Sequence, residues 1–377
     1  MTHHNENLVS SYRQGLNQFT GLDWDQKISM FTGSIPPTEE DRQQATPICD
    51  MLSAHVGMFR PAWRPYTPGG PVPAWVDFRD SDFSSINGFV TVTPVKNQGP
   101  CGSCVIFSGT AFLEAYIALS TDTDAQSISA QQLLNVFDIT NFLNQCNGNV
   151  IYKFFQKLVQ GTSIQFLLAQ TPNMTTVADY EFNDPVKRAA CSTLNQECQK
   201  WFLKPPACTT TNPKVLKCNS LISCEISNTC LPQYVNPTSC TVPTCTPNFL
   251  TMGNSVRFSG TIEARETSIA ESLCQYGPMV VAVNTCDAFF RYQSGIFQPP
   301  QNTNDNTTHA VLLIGYSNDN GTLPGFLIFK NSWGPDWAKE GGYFRLPRGA
   351  NARAYGTNGP MNIYTSVSFV MYGYSSA

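Results

Sequence analysis

Apolar positions along the chain change their spacing as it proceeds. Residues 104–120, CVIFSGTAFLEAYIALS, place Val105, Phe112 and Tyr116 on one helical face, with Phe107, Ala111 and Ala115 beside them. SISAQQLLNVF, residues 127–137, predicts another helix with Ser129 as N-cap. From Trp75 to about Gln160 the signals are mostly helical. Beyond residue 245, short β-type runs dominate: PMVVAV at 278–283, AVLLIGY at 310–316, GFLIFKN at 325–331 and GGYFRL at 341–346. Helices early and strands late predict an α+β architecture in two lobes.

Two stretches lack periodicity. Residues 1–70 are polar and turn-rich, and run into FRPAWRPYTPGGPVPAW at 59–75. Its prolines and glycines read as an extended, exposed linker. Between Cys191 and Cys245, eight cysteines lie among Thr, Pro, Asn and Ser.

A net charge of −4 gives no electrostatic footprint for a nucleic-acid partner. No run approaches the roughly 20 apolar residues of a membrane span. Fourteen cysteines in 377 residues point to an oxidising compartment. Asn173, Asn306 and Asn320 head glycan-acceptor triplets, and Asn306, near His309, is expected to be unoccupied. The opening MTHHNENLVSSYRQG is not a secretory signal, so either a leader is missing or the compartment reading fails.

NQGPCGSC, residues 97–104, carries candidate chemistry in Cys101 and Cys104. A Cys-x-x-Cys at a helix start suits a disulfide exchanger, but those follow a strand in a βαβ unit, and this pair follows a turn-like segment. A zinc site needs further ligands at suitable spacing, and no histidine lies among the other cysteines. The third reading is a cysteine nucleophile with an imidazole base. Of the four histidines, three (His3, His4, His55) precede the proline-rich stretch, which leaves His309. Alone beside an apolar strand, His309 reads more readily as structural than as catalytic. Asn331, after the next apolar run, is placed to fix its ring.

PVKNQGPCGSC, THAVLLIGY and KNSWGPDWAKEGGYFRL together resemble the papain/cathepsin family of cysteine proteases. The resemblance covers most of residues 72–370 apart from the cysteine-rich stretch. YRQGLNQFTGLDWDQKISMFTG resembles the end of the family's inhibitory prosegment, with Gly15, Asn17 and Phe19 in its motif and Gly21 where Asp is usual. The resemblance implies Cys104 as nucleophile, His309 as base and acid, Asn331 as orienting residue and Gln98 as oxyanion donor. It implies a disulfide between Cys101 and Cys146, and an indole at Trp333 that shields the Asn–His bond. A helix N-terminus and a neighbouring imidazolium are expected to hold Cys104 as thiolate.

By the same resemblance, residues 1–70 are a partial prosegment and linker and 71–377 the peptidase. Its helical lobe lies mainly in 95–190, a cysteine-rich insertion in 191–245 and a β-barrel-like lobe mainly in 246–377. The mature chain is expected to start near Pro71–Ala74. Gly148, Asn149, Val150, Ile151, Ala282, Ala310 and Trp333 would bind substrate, with an apolar residue preferred two positions before the cut. Val105 stands where the family has Trp, and Asn149 where it has Gly. Cys104 and His309 lie about 70 residues further apart than usual, most of it the insertion, which is either a bland surface loop, a binding appendage or a metal cluster. The implied protein is a lysosomal, vacuolar or extracellular monomeric endopeptidase zymogen without metal or cofactor. Its partners would be protein and peptide substrates, its own prosegment and cystatin-like inhibitors. The rival functions are an inert binding module on the same fold, a thiol–disulfide oxidoreductase and a cysteine-rich adhesion protein.

Overall fold

The structure is a computed structural model of the full chain. It describes residues 12–36, 38, 61–67, 69–80, 87–128, 130, 133, 148–151, 153–155, 215–218, 224–227, 252–256, 262–301, 308–321, 324–365 and 367–371. In chain order the elements begin with β1 (Arg13–Gln14), α1 (Trp24–Phe31), β2 (Trp75–Asp77), α2 (Cys104–Thr121), β3 (Val215–Cys218) and β4 (Cys224–Ser227). There follow β5 (Met252–Val256), α3 (Ile262–Tyr276), β6 (Met279–Val283), α4 (Asp287–Phe290), β7 (Tyr292–Ser294), β8 (His309–Ser317), β9 (Phe326–Lys330), β10 (Tyr343–Pro347) and β11 (Val367–Met371).

An antiparallel sheet in the order β10-β9-β8-β6-β11-β5, with β2 added beside β8, forms the second lobe. All four late runs are strands within it. β8 is buried from His309 to Tyr316, as a strand covered on both faces must be. A bulge between Leu313 and Gly315 re-registers it against β9. A side chain at Gly315 would place its first carbon 2.2 Å from the Val76 carbonyl, so only glycine admits β2 there. β2 falls where the sequence reads as mostly helical. Three residues are too few to show a period, and pairing with Gly315–Ser317 makes them a strand.

α2 lies between the lobes, and Cys104 to Tyr116 are buried all round rather than along one stripe. On its first-lobe side, Phe155 meets Phe112 at 5.3 Å between ring centres, and Gly109 leaves room for the Phe154 ring. Ser129, the expected N-cap, lies outside the described residues. A buried ionic group ties α2 to the sheet: Lys96 pairs with Glu114, Thr93 bonds the same carboxylate, and Lys330 at the end of β9 donates to Thr93 Oγ1 at 2.9 Å. Desolvation pushes the Lys330 ammonium down to about 8, with Glu114 opposing and Lys96 reinforcing the shift. α3 interrupts the β-rich half. Its signal was present, since buried Glu266, Ile269, Ala270, Leu273 and Cys274 recur at helical spacing.

Of the cysteine-rich stretch, the hairpin β3–β4 is described, with Cys218 opposite Cys224 in register; the rest of 191–245 lies outside the described residues.

Two N-terminal segments dock on this body. Residues 12–36 run across the front of the molecule. β1 pairs with β7, and Asn17 donates to the Phe290 carbonyl at 2.7 Å. α1 starts with a reciprocal capping box between Asp23 and Gln26. Residues 61–66 sit at the opposite end of α2, and the expectation of an exposed linker fails there. Ala62 and Tyr66 are buried in the core, because the C-termini of α2 and α3 offer carbonyls that this segment bonds.

Candidate active site

Gln98 to Ser103 form a tight turn that delivers Cys104 to the first position of α2. His309 opens β8, and Asn331 follows β9. Because these strands are antiparallel neighbours, the start of one lies beside the end of the other. His309 Nε2 donates to Asn331 Oδ1 at 2.8 Å, which leaves Nδ1 with the lone pair of the neutral ring. The same Oδ1 accepts the Ser332 N–H at 2.8 Å, so the amide cannot flip. Trp333 stacks on the imidazole at 4.6 Å between centres and 25° between planes, screening the Asn–His bond. From α2, Cys104 Sγ accepts the N–H of Ala310, next to His309, at 3.3 Å.

The Gln98 side chain is fixed at both ends. Its Oε1 accepts Ser332 Oγ at 2.6 Å, and its Nε2 donates to the Cys101 carbonyl at 2.8 Å and to the Phe31 carbonyl at 3.2 Å. An amide held this way is a preorganised donor for a developing oxyanion. Cys101 is disulfide-bonded while Cys104 is free, which answers the question raised by the Cys-Gly-Ser-Cys pair. Cys146, the expected partner, lies outside the described residues.

The segment after α1 crosses these groups. The Phe31 carbonyl also accepts the Trp333 indole N–H at 2.9 Å. Gly33 and Ser34 donate their N–H groups to the Thr308 carbonyl at 2.9 Å each. Gly33 exchanges backbone bonds with the 148–150 segment: Asn149 N–H donates to Gly33 O at 2.6 Å, and Ile35 N–H to Asn149 O at 2.7 Å. Ser34 thereby lies parallel to Asn149. Gly148 holds φ +92°, and a side chain there would reach within 2.6 Å of Gly33 O.

Burial under this segment works against the expected ionic pair. Desolvation pushes the Cys104 thiol up to about 12 against three backbone N–H groups that favour the anion. Desolvation likewise brings His309 down to about 4, opposed by its bond to Asn331. Among the described residues no hydrogen bond reaches His309 Nδ1. With water excluded, both shifts favour the neutral thiol and the neutral imidazole over the ion pair in this form.

A family model, papain family cysteine protease, matches residues 72–365. The chain belongs to the papain family of cysteine proteases. This papain-family chain is 27% identical to Germination-specific cysteine protease 1 of Arabidopsis thaliana, over 95% of its own length and 71% of that protein's. It is 28% identical to mexicain of Jacaratia mexicana, over 75% of its length and 94% of mexicain's. Among solved structures, a digestive procathepsin L 3 of the Tenebrio molitor larval midgut matches with a TM-score of 0.56 at 20% identity, over 96% of this chain and 83% of that one. Membership makes the protein a cysteine-type endopeptidase with the papain-like α+β fold.

Of the expected substrate-binding residues, Gly148 and Asn149 face the crossing segment directly. Val150 and Ile151 are buried beside them, Asn149 Oδ1 accepting the Val150 N–H at 2.8 Å. Ala282 and Ala310 are partners in the β6–β8 register and are also buried. Trp333, fully buried between His309, Phe19 and Phe290, belongs to the scaffold around the imidazole in this form. Two participants were missed: Ser332, which locks both amides, and Thr308, whose carbonyl anchors the crossing segment. Ser332 lies inside the Asn-Ser-Trp triplet that flagged Asn331, so its signal was in view. Among the described residues no cluster of metal-ligating side chains occurs, and no helix is long and apolar enough to cross a membrane.

Proposed function

We propose that this chain is a zymogen in which Cys104, His309 and Asn331, with Gln98, hydrolyse peptide bonds through a thioester, and residues 12–36 hold the site shut. The observation that carries the reading is the Phe31 carbonyl bonded to Gln98 Nε2 and the Trp333 indole. An internal peptide occupies the donor on which a substrate carbonyl would develop charge.

Removing residues 12–36 admits water and reverses the desolvation, and the proton moves from Cys104 Sγ to His309 Nδ1. The thiolate attacks the peptide carbonyl carbon, and the Gln98 amide and the Cys104 N–H stabilise the oxyanion by about 3 kcal/mol per donor. His309 returns its proton to the leaving amine. Water, deprotonated by the same ring, then cleaves the thioester and regenerates the thiolate. Asn331 acts by holding the ring in the tautomer that leaves Nδ1 basic.

Val150, Ile151, Ala282 and Ala310 give the cleft an apolar wall, which supports preference for Leu, Val or Phe two residues before the cut. His309 is the single histidine beyond residue 55, so no pair of histidines marks an extra loop capping the cleft, which favours internal cleavage over dipeptide removal. A lysosomal, vacuolar or extracellular setting fits the cysteine usage, and action as a monomer with cystatin-like inhibitors as partners is what the family resemblance implies.

The test compares wild type with Cys104→Ala after acid maturation, using a thiol-directed epoxide and a Leu-Arg fluorogenic peptide. Labelling and turnover should vanish together in the variant. Wild-type protein that matures yet neither labels nor hydrolyses removes the proposal in favour of an inert family member.

A further inference from the structure

We propose that residues 61–66 are a permanent strap of the active enzyme, so that maturation removes the cleft-covering segment but leaves Pro61 and everything after it attached. The inference rests on the zymogen reading and departs from the boundary near Pro71–Ala74 that the family resemblance implies.

The strap closes two helix ends at once. The N–H groups of Ala62 and Trp63 donate to the last carbonyls of α3, on Gln275 at 3.1 Å and Cys274 at 2.9 Å. Arg64 reaches the last turn of α2, donating to the Leu119 carbonyl at 3.2 Å and pairing with Asp122 just beyond it. A guanidinium there answers both the orphan carbonyl and the negative end of the helix dipole. The Phe89 ring stacks under the same guanidinium at 5.7 Å, and the Asn87 amide binds the Ala62 carbonyl at 2.9 Å. α2 carries the nucleophile and α3 packs on the sheet that carries His309 and Asn331, so the strap spans the two lobes whose alignment sets the site.

Packing points the same way. Gly277, turning out of α3 at φ +89°, has room for a hydrogen only, since a carbon there would lie 2.6 Å from Leu119 Cδ1 and 3.3 Å from Ala62 Cβ. Phe78 closes the space from the other side, and Tyr66 is buried in the same core cluster. Excision at residue 71 would strip these partners away, leaving helix-terminal carbonyls and an apolar hollow. It would open nothing in the cleft, because the strap lies at the far end of α2 from Cys104. The turn joining strap to body, where Gly70 N–H donates to Thr67 O at 2.8 Å, is the natural place for a cut only if the strap holds weakly.

The experiment uses the full chain carrying Cys104→Ala, which cannot cut itself, treated at acid pH with a trace of an active papain-family protease. Intact mass of the surviving core reads its first residue without requiring turnover by this chain. A core that keeps residues 61–70 supports the strap; a core beginning at Pro71–Ala74 with the strap lost overturns it. Arg64→Ala in the same background should lower the melting temperature by about 2–5 °C and move the surviving start towards Pro71. Melting and start both unchanged would also overturn it. If wild type proves inactive in the labelling test while the core still begins before Pro61, the catalytic reading fails and the strap stands.

Discussion

Residues 12–36 and 61–66 precede the same body and both bury aromatic side chains, yet they bury different things. The first segment lays Phe19 against Phe31, Phe290 and Trp333 and crosses the catalytic groups by backbone bonds. What it hides is polar and works only when wet, namely a thiol and an imidazole that desolvation shifts towards their neutral forms. The second hides helix-end carbonyls and apolar core, which gain nothing from water. Equal burial therefore has opposite meanings: one contact opposes the chemistry of the body and the other completes its fold. Changes in the cover should alter activity without altering the stability of the matured body, and changes in the strap should do the reverse.

The largest effect is expected at Phe19. Its ring is 0% exposed and is the cover's main apolar anchor. Phe19→Ala should weaken docking by about 3 kcal/mol, raising the turnover of unprocessed chain by about 100-fold. The melting temperature of matured enzyme should be unchanged. A fall in that temperature would show that the cover, too, is part of the mature fold.

Next comes pH, where the sign separates two cases. In the covered form burial pushes the His309 imidazole down to about 4, against 6.5 for an ordinary imidazole. With Cys104→Ala, the uncovered ring is free to charge below 6.5 while the covered ring is not. The open form then binds more protons, and docking weakens as pH falls from 6.5 to about 4, by roughly 1.4 kcal/mol per unit. In wild type, uncovering only transfers a proton from sulfur to nitrogen, with no net uptake, so this pair contributes no slope over that range. Fluorescence of Trp333 during release of residues 1–38, cut at an engineered site, can follow both proteins. Parallel pH profiles would remove the internal proton transfer.

How much of this was readable before the fold was known divides along the same line. Cys104, His309, Asn331 and Gln98 were legible because each sits in a short, dense motif, and the antiparallel register of β8 and β9 brings the last two motifs together. Gly15, Asn17 and Phe19 were legible in the cover for the same reason. The strap was not. Pro61, Pro65 and Pro68 read as linker punctuation, and nothing local says that two helices elsewhere end in carbonyls needing its N–H groups and Arg64. Nor could motif reasoning find the desolvation that shifts Cys104 and His309 towards their neutral forms, which comes from burial beneath a segment more than 60 residues away in sequence.

A smaller effect is expected where cover and cleft meet backbone to backbone. A carbon on Gly33 would lie 2.0 Å from the Gly102 carbonyl oxygen, which belongs to the turn before Cys104. Gly33→Ala forces that crossing to lift at a cost of about 1–2 kcal/mol. Basal turnover of the unprocessed chain should rise about tenfold. Unchanged turnover would mean that the crossing at Gly33 contributes little to inhibition.

The smallest effects come from two ion pairs matched in exposure. In the cover, Lys27 pairs with Asp287 at 2.7 Å, the side chains being 8% and 47% exposed. In the strap, Arg64 pairs with Asp122, the side chains being 12% and 42% exposed. Half-exposed carboxylates limit each to about 1 kcal/mol. Asp287→Asn should raise the basal turnover of unprocessed chain about fivefold and leave the melting of the matured body alone. The loss there is tempered because Asp287 also carries Arg291 at 3.0 Å. Asp122→Asn should lower the melting temperature by about 2–3 °C and leave turnover alone. Because the two pairs are alike in kind and exposure, any difference in readout comes from what each segment holds down. Both variants acting on stability, or both on turnover, would erase the distinction between cover and strap.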